Sequence, residues 1–199
     1  MRRLAMIAAL MGTTLASSGC LPLAATGIAV GTLAVLDRRT IGAQTEDTEI
    51  EIRASNRLPE AIRGARGVSI TSYNRRVLLT GQVPDEAAKA EAERAVRQVS
   101  GVREVYNELE LTSRVSFSTT ANDSAITAKV RAGIIEQKAL SSNNVKVVTE
   151  NGVVFMMGLL TQREAPAYAT VASRVSGARR VVTLFEYITE EELARINAR

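Results

Sequence analysis

The chain has no histidine, no tryptophan and one cysteine, with three phenylalanines and four tyrosines among 199 residues. Without histidine it lacks the side chain that ordinarily exchanges protons near neutral pH. A single cysteine excludes an internal disulfide and a multi-thiolate metal site. No glycine-rich loop with phosphate-cradling spacing occurs, and no cluster has metal-ligand spacing. Glu91 and Glu93 lie in "DEAAKAEAERAVR", where Lys89/Glu93 and Glu93/Arg97 fall at i, i+4. Such pairs mark a solvated helix face rather than an acid–base pair. The expectation is a non-enzyme, with no catalytic residue and no metal. The net charge of +4 is too small an excess to argue for nucleic acid.

What is present begins at the N-terminus. Arg2 and Arg3 precede "LAMIAALMGTTLA", and a basic start, a short apolar run and small residues after it make a secretory signal peptide. The uncharged stretch continues to Leu36, so a single membrane-spanning helix is the alternative. Gly19, Pro22, Gly27 and Gly31 interrupt it, and a span wants about 20 apolar residues. Cys20 follows Ser17, Ser18 and Gly19. A lone thiol in an exported chain needs a purpose, and these small residues resemble the bacterial lipobox, whose cysteine is acylated and becomes residue one. The lipobox usually has Leu three residues before the cysteine; here that place holds Ser17, and Leu15 comes too early. Leu21, rather than Asp, follows Cys20, which by analogy with enteric lipoproteins directs the chain to the outer membrane. The expected layout is a signal peptide over 1–19 and a lipidated N-terminus with tether over 20–45. Covalent lipid on Cys20 is then the sole attached group, with no other cofactor.

The remainder is a repeat. Residues 70–111 and 147–188 align, with Gly81 matching Gly158 and "VSGVREV" matching "VSGARRV". Each copy reads as a β-branched strand (68–73; 145–149), a turn ("YNRR"; "ENG"), and an apolar strand ending at the glycine. A helix follows, opened in the second copy by the capping box "TQRE" and Pro166 and closed by Gly101 or Gly177 as C-cap. A third strand ends the unit (103–111; 179–188). Upstream of each copy is a helical pattern. In the second, a capping Asn122 or Asp123 precedes Ile126, Val130 and Ile134 on one stripe; in the first, "EIEIRASNRL" meets Pro59. The fold class is therefore α+β: two tandem α-β-β-α-β modules over 46–113 and 121–188, each a three-stranded mixed sheet on two helices, with a C-terminal tail over 189–199. The strand "VVFMMGLL" is apolar without alternation, so both its faces are covered; the sister module is the preferred cover.

The glycine strand and the "VSG" closure resemble BON domains, a family of bacterial envelope modules. Two in tandem behind a lipobox resemble the dual BON-domain outer-membrane lipoproteins, the division- and outer-membrane-stress-associated lipid-binding family. The resemblance spans about residues 37–188 and includes "DRRTIGAQ", "VLLTGQ", "EVYNE", "ITAKVR" and "NNVKVVTENGVVF". It implies no enzyme, an outer-membrane location facing the periplasm, and support of membrane integrity under envelope stress. It also implies binding to anionic phospholipid through the first helix of the second module, at Ser124, Ala125, Ile126, Thr127, Lys129, Val130, Arg131 and Ile134. A member of that family carries an aromatic at the place of Ala125.

The residues alone point the same way. Residues 46–113 carry 12 acidic and 10 basic side chains, and residues 114–188 carry 5 acidic and 9 basic. The second module thus holds the positive field, and each basic group near an anionic surface is worth about 1 kcal/mol. Arg131, Ile135 and Lys138 fall at i, i+4, i+7, off the core stripe, as a face for lipid; a solvated helix face is the alternative. The rival function is an adaptor for an outer-membrane-assembly protein, favoured if the "VVFMMGLL" face is exposed. A soluble periplasmic BON protein is the third reading, should Cys20 carry no acyl chain. Gly81 and Gly158 read as structural glycines at close backbone approaches.

Overall fold

The computed structural model describes residues 37–58, 62, 67–112 and 120–198. In the first module, α1 (Ile41–Arg57) starts at the N-cap Thr40, whose hydroxyl accepts from the Ala43 N–H at 3.1 Å. Then come β1 (Ser69–Tyr73), β2 (Arg76–Thr80), β3 (Gln82–Val83), α2 (Glu86–Arg97), β4 (Glu104–Asn107) and β5 (Glu110–Leu111). The second module comprises α3 (Thr120–Glu136), a 3-10 turn at Ser142–Asn144, β6 (Val145–Glu150), β7 (Val153–Leu160), α4 (Ala165–Ser173) and β8 (Arg180–Tyr187). A last helix, α5 (Glu190–Asn197), follows.

Both sheets have one topology. β1–β2 and β6–β7 are antiparallel hairpins, and β4 and β8 join β2 and β7 in parallel. In the first module Gly81 interrupts the central strand, and β3 and β5 continue the layer as a parallel pair. The hairpin turns have positive φ at both central residues, Asn74 and Arg75 in one and Asn151 and Gly152 in the other. This two-residue geometry matches the twist of the strands it joins.

A buried carboxylate clamps each turn. Asp47, on α1, accepts from the Asn74 and Arg75 N–H groups, both at 2.7 Å. Asp123, on α3, accepts from those of Asn151 and Gly152, both at 2.8 Å. Asp123 is therefore not the expected helix cap. α3 starts two residues before Asn122, and Asp123 reaches across to the hairpin instead.

Several boundaries differ from the sequence expectation. β7 does not end at Gly158 but runs through it to Leu160. Gly101 and Gly177 are not C-caps: α2 and α4 end at Arg97 and Ser173, and the glycines sit in the following turns with φ of 91° and 98°. The 20–45 tether does not extend to residue 45, since α1 begins at Ile41. Residues 189–199 are not a plain tail. Thr189 and Glu192 form a reciprocal capping box that starts α5.

Three apolar layers hold the body together. Ile50, Ala54, Val77, Leu79 and Val96 anchor the first, between the helices and sheet of module one. Ile126, Val130, Ile134, Met156 and Tyr168 anchor its counterpart in module two. The third lies between the two sheets: Tyr73 and Leu78 of module one meet Val153, Phe155, Met157 and Leu159 of module two. β7 therefore alternates after all. Val154, Met156 and Leu160 face the helices while the odd-numbered residues face the sister sheet, and all eight are buried. Arg76, at the start of β2, lies 3.5 Å from Glu186 near the end of β8, while Glu108 lies 3.6 Å from Arg180 at its start. Corresponding strands of the stacked sheets thus run in opposite directions.

Candidate functional site

α3 packs along the edge strand β6 with one stripe inward. Ile126, Val130 and Ile134, at i, i+4, i+8, are at most 1% exposed. These three of the eight expected lipid-binding residues are core, and no headgroup reaches them in the folded state. Thr127 is half-buried and its hydroxyl donates to Thr149 Oγ1 at 2.7 Å. Ser124, Ala125, Lys129 and Arg131 are exposed.

At about 100° per residue, Lys129 and Arg131 stand about 160° apart on the outer surface. Between them lie Ser124, Ile135, Ala128, Ala132 and Ala125, with Glu136 close to Lys129, and Ile135 is 67% exposed. The result is a narrow, mostly apolar band with a cation on each flank and one carboxylate at its C-terminal end. Among the described residues no ion pair involves Lys129, Arg131 or Lys138, whereas most basic side chains around the module junction are paired. Lys138 is not on the helix as expected; α3 stops at Glu136 and Lys138 sits in the next turn. The first helix of module one, α1, is more acidic, with Glu46, Asp47, Glu49 and Glu51 against Arg53 and Arg57.

Beside α3, a groove of about 730 Å³ opens between the helix, the outer edge of β6 and β1 of the first module. Glu150 lies at one end, its carboxyl pushed above the usual carboxylate range by burial and then by Asp123 and Glu110.

Other singled-out residues have structural partners. Arg75 pairs with Glu46, and Arg76 with Glu104 and Glu186, so the "YNRR" turn offers no free guanidinium to phosphate. A Cβ on Gly81 would fall 2.4 Å from the Gly67 carbonyl oxygen, and one on Gly158 would fall 2.7 Å from that of Asn144. Among the described residues there is no cluster able to hold a metal, and no helix is long and apolar enough to cross a membrane. Cys20 lies outside the described residues.

Sequence reasoning missed the segment Asp37–Thr40 as a structural element. Arg38 grips Glu164 with two hydrogen bonds of 2.7 and 2.8 Å and donates to the Leu159 carbonyl at 2.8 Å. Arg39 bonds Asp37 and Asp47, and its guanidinium lies 4.1 Å from the Tyr73 ring centroid. This strap joins both modules, and Tyr73 in turn donates to the Asn144 carbonyl at 3.2 Å. No local pattern marks such long-range pairs. The recurrence of Asp47 and Asp123 at the repeat offset is visible in the sequence, but their hold on the hairpin turns is not.

Comparison with known proteins accords with this architecture. The BON domain family matches residues 46–113 and 122–189. The chain is 37% identical over 184 residues to the outer membrane lipoprotein DolP of Haemophilus influenzae, covering 92% of this chain and 95% of that one. It is 31% identical over 155 residues to a 21 kDa hemolysin of Actinobacillus pleuropneumoniae, covering 77% and 80%. The osmotically-inducible protein Y of Escherichia coli is 28% identical over 117 residues, covering 57% and 58%. With both halves of the chain matched and the similarity to DolP running almost end to end, this protein belongs to the dual BON-domain lipoproteins of the outer membrane.

Proposed function

We propose that the second module docks on anionic phospholipid through the outer face of α3, and that the protein acts as a non-catalytic, tethered support of outer-membrane integrity. One observation carries this: Lys129 and Arg131 stand exposed, without carboxylate partners among the described residues, on either side of a mostly apolar band that includes Ile135. A helix with that profile lies in the headgroup plane, its apolar side inward and its cations on phosphate. With only an alanine at position 125, Ile135 is the largest apolar group on this face. Each cation contributes about 1 kcal/mol, so the free domain binds weakly. Acylation of Cys20 raises the local concentration and makes weak docking sufficient. In this reading the anchored protein faces the periplasm.

The adaptor reading loses the feature that favoured it, since "VVFMMGLL" is buried on both faces, one against the helices of its own module and one against the first module.

The test is flotation of residues 37–199 with anionic and with neutral vesicles at low and high salt. Binding restricted to anionic vesicles, weakened by salt and lost in Lys129→Ala/Arg131→Ala, is expected. Equal behaviour of that double variant and the parent would overturn the α3 assignment.

A further inference from the structure

The two modules close the outer edge of their sheets differently. In each hairpin the residues flanking the two-residue turn form the hydrogen-bonded pair, Tyr73↔Arg76 and Glu150↔Val153. Pairs then alternate between hydrogen-bonded and wide. Ser72↔Val77 and Ile70↔Leu79 are wide in module one, as are Thr149↔Val154 and Val147↔Met156 in module two. At a wide pair the N–H and C=O of the edge residue point away from the neighbouring strand, out of the sheet.

In module one the outward groups of Ser72, the wide position nearest the turn, are satisfied, whereas among the described residues those of Ile70 have no cap. The Ser72 N–H donates to Glu51 Oε1 at 2.7 Å, and its carbonyl accepts from Lys146 Nζ at 3.3 Å. Lys146 and Glu51 are themselves paired at 2.9 Å. In module two the repeat places Thr127 where Glu51 stands. Its short side chain bonds the Thr149 hydroxyl and reaches no main-chain group. Among the described residues nothing caps the outward main-chain groups of Val147 and Thr149. A strand edge of this kind is a template for another chain, and natural sheets normally block it.

The space outside the edge is the groove beside α3, with Ser69 and Thr71 on one wall and Thr127, Ala128 and Ala132 on the other. These small side chains leave room for a strand at about 4.8 Å from β6. The groove is also polarised. Asp123 lies by the β6–β7 turn and Thr127 by Thr149, so α3 runs opposite to β6, with Glu150 at one end and Arg131, which has no ion pair among the described residues, toward the other.

We propose that the outer edge of β6 takes an extended polypeptide segment of a partner protein as an added strand, apolar or small at alternate positions, with an acidic residue toward Arg131 and a basic one toward Glu150. Main-chain bonds to Val147 and Thr149 supply the affinity, and the two charged ends set direction and register. This docking mode differs from lipid binding in using the edge of β6, but it shares Ala128, Ala132 and Arg131 with the lipid-facing side of α3, so the two occupants compete for that wall.

Two measurements test it. First, amide hydrogen exchange on the full chain, with Ser72 as internal reference. The Val147 and Thr149 amides should exchange at least about tenfold faster than that of Ser72, and comparable protection of all three would show a closed edge and end the proposal. Second, a photo-crosslinking benzophenone amino acid at Ser69, an exposed groove-wall position, in the full-length protein in its own envelope. Adducts should map to an extended protein segment of the stated charge pattern. They should fall at least fivefold in Thr127→Glu, which restores the Glu51-type cap, and persist in Thr127→Val. Adducts to phospholipid, to a second copy of this chain, or undiminished by Thr127→Glu would each overturn it. Equal melting temperatures of the two Thr127 variants show that the fold is intact.

Discussion

Gly158 and Gly81 occupy the same place in the repeat and are required for different reasons. Gly81 has a φ of 109°, a conformation open mainly to glycine, and it breaks the central strand of module one in two. Gly158 has ordinary strand geometry inside an unbroken β7, but a Cβ there would lie 2.7 Å from the Asn144 carbonyl oxygen and 2.9 Å from a Val145 methyl. That same carbonyl accepts the Tyr73 hydroxyl from the other module. Gly158→Ala should therefore destabilise the protein by about 1–3 kcal/mol and disturb the module contact as well. Gly81→Ala should cost at least as much, since strained φ adds to the clash with Gly67. Denaturant midpoints followed by Tyr fluorescence and by far-UV circular dichroism would check both. Parent-like midpoints would mean that the backbone yields at these sites.

At the scale of the element, α3 separates two neighbouring isoleucines by one residue and opposite surroundings. Ile134 is fully buried and Ile135 is 67% exposed. Ile134→Ala should cost about 2–4 kcal/mol and lower vesicle binding only where the module unfolds. Ile135→Ala should change stability by less than about 0.5 kcal/mol yet reduce binding to anionic vesicles severalfold. Thermal melts beside flotation separate the two effects; an Ile135→Ala protein that floats like the parent would leave only the cations to hold the membrane. The repeat was legible because β-branched runs, "ENG" and matching glycines are local signals that recur. The inward stripe of α3 was legible from its spacing too, although three of its members were counted among the lipid contacts. What escaped was whatever depends on distant partners. The Asp123 carboxylate looks like a helix cap until the hairpin 28 residues away claims it. The odd–even division of β7 is invisible in a run whose two faces are both apolar. The α5 capping box, Thr189 with Glu192, was local and readable, but was passed over as tail.

At the scale of the whole molecule, the two modules behave as one body because an apolar seam and a polar strap join them. The strap is where pH should act. Glu164 is held down to about 2, chiefly by its hydrogen bonds from Arg38, and further by the Thr161 N–H. An unfolded glutamate titrates near 4.3. A carboxyl depressed in the folded state contributes stability that is fully present above the unfolded value and disappears as pH falls through the folded one. The window is thus about pH 4.5 down to 2. The full shift would correspond to about 3 kcal/mol, but the pair is partly open to water, so about 1–2 kcal/mol is the realistic share. Glu164→Gln retains an oxygen to accept from Thr161 and removes only the charge. At pH 7 it should lower stability by that amount, and the gap to the parent should shrink as both are taken toward pH 2.5. Arg38→Ala should match it at pH 7 and also free the Leu159 carbonyl. Urea midpoints of the three proteins at pH 7, 4 and 2.5 read this directly. A gap that stays constant across the range would mean that Glu164 works as a neutral helix-start acceptor, and that the apolar seam alone keeps the modules together.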